Sequence, residues 1–318
     1  LNAQKSYNAL PKYAATSLKE DAAILKKVLE ANHPSLYWYT PKQQLDSAFD
    51  NMFNSISDSL NEIEFRNKVA PWVAMIKCGH TTALYSKKFI KELPPYRYPR
   101  FPLQIKFWED SAVVLSNGYY KDSIIQRGTI VQTINNKPVA YYRDYLFKQI
   151  TTDGYAINHQ YQTLSSSFPD SYKQVFGVDS TYLIGYINQA GKADVISLGN
   201  FVPAPRDTGT NRPRPSIRQA SLSNMQLRLL SLRSLSIDTV THTAYIRLTT
   251  FSKGNLKTFF RRSFRKLKQE NIQHLILDLR ENGGGRISNS IALTKYLKQS
   301  PFKIADSVVA ISRKFKHG

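Results

Sequence analysis

The sequence predicts a multidomain α/β chain: a helical N-terminal region, a middle α+β region, and the start of an α/β core. Three observations predict it. Apolar residues recur at helical spacing through most of the first 76 residues. Short apolar runs separated by turn residues occupy 103–198. A strand, a glycine turn and a helix follow one another between 274 and 297. The boundaries read from these changes are 1–95, 96–202, a linker at 203–236, and 237–318.

Residues 1–15 form a polar, Tyr-bearing lead-in. Ser17, with Glu20 three residues later, has the capping-box pattern and predicts the first helix start. Leu18, Ala22, Leu25, Val28 and Leu29 follow at helical spacing. His33-Pro34 ends that helix, because the residue before proline avoids the helical region. Residues 41–56 and 63–76 read as two more helices. Cys78-Gly79-His80-Thr81 predicts a bend, with a strand beginning behind it and running to 85. A Pro- and Tyr-rich linker at 94–100 follows. Strands are expected at 103–107, 112–115 and 129–134, with turn chemistry at Asn135-Asn136-Lys137. A helix at 141–149 and a hairpin of 181–188 with 193–198 complete the middle region.

Pro203, Pro205, Pro213 and Pro215, among arginines and serines, predict an extended connection over 201–236, with room for a short helix at 225–235. Residues 241–248 alternate as a strand, with Ala244, Ile246 and Leu248 on one face. Residues 255–269 read as a helix with Leu256, Phe259, Phe260, Phe264 and Leu267 in one stripe. A membrane surface could take such a stripe. A sheet suits it better, because strand, helix and the next strand at 275–279 make a βαβ unit. The continuous run Leu275-Ile276-Leu277 reads as a buried strand of a mainly parallel sheet. A helix at 286–297 and a strand at 304–311 follow.

Gly283-Gly284-Gly285 lies between that strand and that helix. Glycines let the backbone approach a ligand closely. Their N–H groups precede a helix N-terminus, where negative charge is favoured. The turn suits an anion or the oxyanion of an acyl-transfer step, and the glycines alone fit a tight, ligand-free turn equally. A Walker loop is excluded, since Arg286-Ile287 follows Gly285. The dinucleotide fingerprint is excluded, since Ser288 stands where a glycine is needed. His80 is the other candidate, because imidazole is the usual general base near neutral pH. By residue type alone, a structural role fits it too.

Asp278-Leu279-Arg280-Glu281-Asn282-Gly283-Gly284-Gly285 resembles the D-L-R-x-N-x-G-G turn of the C-terminal processing (tail-specific) and tricorn-core-like serine peptidases. Cys78-Gly79-His80-Thr81 resembles the Gly-His-Thr/Ser turn of their histidine-dependent branch, with Cys78 where Asp is common. Gly128 to Val139 resembles the G-D-x-I-x-x-I-N-x-x-P-V segment of PDZ domains. His33-Pro34-Ser35-Leu36-Tyr37 matches a recurring N-terminal pattern of the family, in which His33 is structural. The stretches fall in family order and span most of the chain. The resemblance implies a PDZ-like α+β domain at 96–202 and the start of a ClpP/crotonase-like α/β peptidase core at 237–318. It implies catalytic roles for His80 as base and for Gly283 or Gly284 as oxyanion donor. The usual Gly-Leu-Gly-Phe carboxylate loop of PDZ domains is not visible, so a scaffold role stands beside peptide binding.

Hydrophobic content of 42% and aromatic content of 12% fit a folded protein rather than a disordered one. No apolar run approaches the ~18 residues of a membrane span. Lys and Arg number 44 against 23 Asp and Glu, a net charge of +21. The basic residues are dispersed and no nucleic-acid motif accompanies them, so a basic surface without a specific nucleic-acid partner is expected. Cys78 is the single cysteine, which excludes an intrachain disulfide and a cysteine-based zinc site. No metal and no cofactor are expected.

In the resembled family the nucleophilic serine sits in a Ser-Ala-rich turn well beyond the glycine turn. No serine between Gly285 and Gly318 has that context: Ser288 and Ser290 fall on the helix, and Ser307 and Ser312 in or beside a strand. The first residue is Leu1 rather than a methionine, as in a processed or trimmed chain. The expectation is the front part of an exported serine endopeptidase, periplasmic or envelope-associated with its signal removed. It would cleave peptides or unfolded protein ends through an acyl-enzyme, and this piece alone would be inactive. A lysine base beyond Gly318 stays open beside His80, as does homo-oligomerisation. The alternative is a non-catalytic protein of the same fold that binds peptides or hydrophobic ligands.

Overall fold

The computed structural model describes residues 10–92, 99–119, 122–202 and 223–305. These fall into two units, one up to residue 202 and one from residue 223. Most of the expected linkers at 94–100 and 201–236 lies outside the described residues, as does the strand expected at 304–311 beyond its first two positions.

The first unit opens with a short strand, β1 (Lys12–Tyr13), which leads into helix α1 (Ala15–Asn32). The helix starts two residues ahead of Ser17, from Ala14, with no side-chain cap, so the Ser17/Glu20 box does not form. A cap contributes only about 1 kcal/mol. The antiparallel pairing of β1 with β2 (Leu60–Asn61) delivers the chain to the helix earlier than the cap would. Helix α2 (Lys42–Asn54) and helix α3 (Glu62–Ala74) follow, and α3 carries a real capping box from Asn61 and Glu64. Leu18, Ala22, Leu45, Phe49, Trp72 and Val73 bury the facing stripes of the three helices. The Trp72 indole donates to the Leu45 carbonyl at 3.0 Å, so even its polar edge is satisfied.

No strand forms over 81–85; these residues run as irregular chain into helix α4 (Lys87–Glu92). Among the described residues no strand pairs with them. Their backbone is held by side chains instead: Arg66 Nε donates to the Ala83 carbonyl at 3.1 Å, and the Ser86 N–H donates to Glu62.

Strands β3 (Leu103–Phe107), β4 (Ala112–Asn117), β5 (Ile130–Ile134) and β6 (Lys137–Pro138) come next. Helices α5 (Val139–Phe147) and α6 (Ile157–Phe176) follow, then strands β7 (Thr181–Ile187) and β8 (Ala193–Gly199). The sheet order is β3-β4-β5-β7-β8, with β6 folded back on β5, and every pairing is antiparallel. Asn135 and Asn136 take φ of 47° and 62° in the tight turn between β5 and β6, as the turn chemistry demanded. Phe101, Phe107, Phe168, Tyr172 and Tyr182 fill the core in edge and stacked contacts about its centre.

Helix α6 was not anticipated by the sequence reading. Tyr161, Leu164, Phe168, Tyr172 and Phe176 do recur at helical spacing, but a serine run and Pro169 interrupt them. An interior proline costs about 3 kcal/mol, partly because the carbonyl four residues earlier loses its partner. Here that carbonyl belongs to Ser165, and the Gln104 side-chain amide of β3 donates to it. The Ser165 hydroxyl accepts from the Phe107 N–H at 3.0 Å. The same device recurs in α3. Pro71 frees the Asn67 carbonyl, and the Gln149 amide donates to it at 3.2 Å. Each proline defect becomes a tie between elements distant in sequence.

The second unit begins with helix α7 (Asn224–Leu232), capped by Ser223 and Gln226, and strand β9 (Arg233–Asp238). The extended connection expected to reach 236 therefore ends earlier. β9 pairs antiparallel with β10 (Thr243–Leu248). Helix α8 (Leu256–Gln269) crosses over to β11 (His274–Asp278), which lies parallel to β10. Helix α9 (Ile287–Leu297) closes the described chain. Phe260 and Leu256 of α8 pack on Ile246 and Leu248 of β10 and on Leu293 of α9, so the Phe stripe is core. One expectation fails. β11 is the edge strand of this sheet among the described residues, and Ile276 is 53% exposed, not buried. No helix of the described residues is long and apolar enough to cross a membrane.

Candidate active site

Two turns hold the residues singled out by sequence, one in each unit. The first follows α3. Lys77 takes a left-handed φ of 55°, and the Thr81 N–H closes back on the Cys78 carbonyl at 3.0 Å. Gly79 and His80 thus sit at the apex of a tight turn. Its flanks are tied to distant chain. The Gly79 N–H donates to Asp153 Oδ1 at 2.6 Å, and the Gly154 N–H donates to the Lys77 carbonyl at 2.9 Å. Thr82 and Thr151 share a hydroxyl hydrogen bond at 3.0 Å.

His33 ties the other flank. Its Nδ1 accepts the Ser35 N–H at 3.2 Å, so Nε2 carries the proton and donates to Thr81 Oγ1 at 3.0 Å. Burial pushes the His33 pKa down, which favours the neutral ring that this arrangement needs. His80 itself is exposed and makes no hydrogen bond among the described residues. Its imidazole lies beside the Cys78 thiol and the Asp153 carboxylate, with one ligand-type atom of each within 4.8 Å of the others.

The second turn follows β11. Asp278 is gripped by Arg280 through Nε and Nη2, both at 2.9 Å, and through the Arg280 N–H at 3.1 Å. Tyr245 of β10 adds its hydroxyl. The Arg280 side chain, then Tyr245, hold the Asp278 carboxyl well below the usual carboxylate range. Asn282 is the clamp of the turn. Its amide nitrogen donates to the Leu248 carbonyl at 3.1 Å, and its oxygen accepts the Gly284 N–H at 2.8 Å. The Gly284 carbonyl then accepts the Phe251 N–H at 2.8 Å, and the Arg286 N–H donates to the Phe251 carbonyl at 3.3 Å. At Gly285, with φ of 142°, a Cβ would stand 2.5 Å from the Ser252 backbone nitrogen. Only glycine fits that contact.

Of the two glycines proposed as donors, Gly284 is the weaker candidate, because Asn282 occupies its N–H. The N–H groups of Gly283 and Gly285 donate to no protein acceptor among the described residues, and Gly283 is exposed with open space around it. An exposed, unpaired N–H near the start of α9 can donate a hydrogen bond to an anion or a polarised carbonyl oxygen. Sequence reasoning missed Asp153, and it missed what His33 and Asn282 hold. Thr152-Asp153-Gly154 is recognisable turn chemistry, but nothing along the chain assigns it to His80.

The model of peptidase family S41 matches residues 242–308, the span that contains the glycine turn. The fold is similar to a crystal structure of mature CPAF, with a TM-score of 0.52 and 14% identity over 86% of this chain and 56% of that one. It is similar also to mature CPAF complexed with lactacystin, with a TM-score of 0.54 and 11% identity over 88% and 59%. A photosystem II D1 C-terminal processing protease matches with a TM-score of 0.32 and 12% identity over 89% and 65%. This chain thus spans less than two thirds of the length of each of these structures. No curated protein matches it by sequence.

Proposed function

We propose, from the match of residues 242–308 to the model of peptidase family S41, that the protein is a serine endopeptidase acting on peptides or unfolded protein ends. In this reading His80 takes the proton of a serine nucleophile that lies outside the described residues. The serine attacks the scissile carbonyl, and the Gly283 N–H stabilises the oxyanion that forms. His80 then returns the proton to the leaving amine, and water releases the acyl group by the same route. The observation that carries the reading is the glycine turn. Asn282, Phe251 and Ser252 hold its backbone in place while the Gly283 N–H stays exposed and unspent. Preorganised donors of this kind need no reorganisation as charge develops.

The antiparallel sheet of β3 to β8 with α5 and α6 is the part read as PDZ-like, and in this proposal it positions the substrate or the other parts. Export to the periplasm or cell envelope belongs to the same reading and is checked by cell fractionation. The test of the chemistry is His80→Ala in the full-length protein. Turnover of an unfolded protein substrate should fall at least about a hundredfold, the usual contribution of a general base, with the circular dichroism spectrum unchanged. Undiminished turnover sinks the role of His80 and points to a lysine base. A full-length protein that binds peptide or a hydrophobic ligand without cleaving anything favours the non-catalytic alternative.

A further inference from the structure

The sequence reading excludes a cysteine-based zinc site, yet folding places Cys78 beside two other ligand types. The Cys78 sulfur, an imidazole nitrogen of His80 and a carboxylate oxygen of Asp153 all lie within 4.8 Å of one another. We propose that these three residues bind one Zn²⁺-class divalent cation at the apex of the His80 turn, leaving a fourth position open.

The donor set selects the metal. Thiolate and imidazole favour zinc over magnesium or calcium, and three protein ligands with one open position is a common zinc arrangement. Bonds of about 2.0–2.3 Å in a tetrahedron put ligand atoms roughly 3.3–3.8 Å apart. The three groups need to contract only about an ångström or so to reach that geometry. His80 is exposed, Asp153 is exposed and Cys78 is half-buried, so an ion can enter from solvent.

The carboxylate is also prepared for the task. The Gly79 N–H holds Asp153 Oδ1 at 2.6 Å, which orients the carboxylate as outer partners of metal ligands commonly do. The Gly154–Lys77 bond at 2.9 Å ties the two loops together next to that contact. A Cβ at Gly79 would meet both Asp153 carboxylate oxygens at 3.2 Å, so glycine at this position lets the carboxylate lie across the turn. Binding forms metal–sulfur, metal–nitrogen and metal–oxygen bonds, and the thiol proton passes to solvent. The His80 nitrogen that holds the ion cannot also accept a proton from a serine. Occupation would therefore switch off a peptidase in which His80 is the base, although the metal site itself does not depend on that reading.

The test is a Co²⁺ titration of the reduced chain. One equivalent should bind with a thiolate-to-cobalt charge-transfer band and release about one proton, and Zn²⁺ should displace it. Cys78→Ser should abolish the band, and Asp153→Asn should weaken Co²⁺ binding at least about tenfold. A second measurement needs no variant. Cys78 is the only thiol in the chain, so saturating Zn²⁺ should slow its alkylation by iodoacetamide at least about tenfold, with the rate restored by a chelator. Co²⁺ binding without a thiolate band, or alkylation indifferent to Zn²⁺, overturns the site. Neither readout involves turnover, so a protein without peptidase activity can still bind the metal, and a peptidase can still fail this test.

Discussion

The histidine turn and the glycine turn expose their central residue by different means. The histidine turn is held by partners far along the chain: Asp153 at Gly79, His33 at Thr81, and the Gly154 N–H at Lys77. The glycine turn is held by its own motif and by the strand next to it. Asn282 reaches Gly284 and Leu248, Phe251 brackets the glycines, and Asp278 is locked by Arg280 two residues away. A turn built from local partners can be read as a motif. A turn built from remote partners can be recognised only at its apex.

The comparison can be broken first at Gly285. Gly285→Ala forces a Cβ against the Ser252 backbone and keeps a positive φ, so it should destabilise the second unit by about 2–4 kcal/mol. Hydrogen exchange at Phe251 and along β11 reads the effect. Gly283→Ala is its control. The added methyl meets open space, and the change should stay within about 0.5 kcal/mol. Equal losses in the two variants would mean that the close approach to Ser252 does not shape the turn.

Asn282→Ala comes next. It removes two hydrogen bonds and should cost about 1–2 kcal/mol. In the full-length protein it should also lower kcat, because the Gly283 N–H is no longer aimed. Unchanged stability would make Asn282 a passenger in its own motif.

The smallest effect concerns pH and sharpens the other side of the comparison. Burial lowers the His33 pKa on folding, so the unfolded chain takes up the proton first as pH falls. The stability from neutral His33 is present above its unfolded pKa of about 6.5 and is lost as pH drops towards the folded value. Protonated Nδ1 could no longer accept the Ser35 N–H, and the Thr81 tie would loosen. Hydrogen exchange at the Thr81 amide should therefore speed up between about pH 7 and about pH 5 beyond the intrinsic pH effect. His33→Gln should flatten that dependence, and the glycine turn should show none of it.

Elements with a strong period and clean ends were legible. Helix α8, with five apolar residues in one stripe, and the β7–β8 hairpin around Gly191 fell within a residue or two of their expected bounds. The first helix started early because pairing of Lys12-Tyr13 outweighed the Ser17 cap. Helix α6 was lost to its proline and serines, whose cost is met by Gln104, 61 residues away. β9 was hidden because Arg233–Asp238 shows its strand character only against β10. Ile276 looked like core because an apolar run does not say whether its strand lies at an edge.

The sequence by itself determined the local chemistry of this protein: the Asp278–Gly285 turn, the βαβ unit around it, and a histidine at a glycine bend. Those features depend on backbone freedom, hydrogen bonds across a few residues, and helical or strand periodicity, all of which are written along the chain. Only the tertiary structure decided that Asp153 meets Gly79, that His33 is a neutral donor to Thr81, and that Asn282 spends the Gly284 N–H while Gly283 keeps its own. These depend on which distant surfaces bury each other. Burial fixes such pairs through the packing of the whole core, and no short stretch of sequence carries that information.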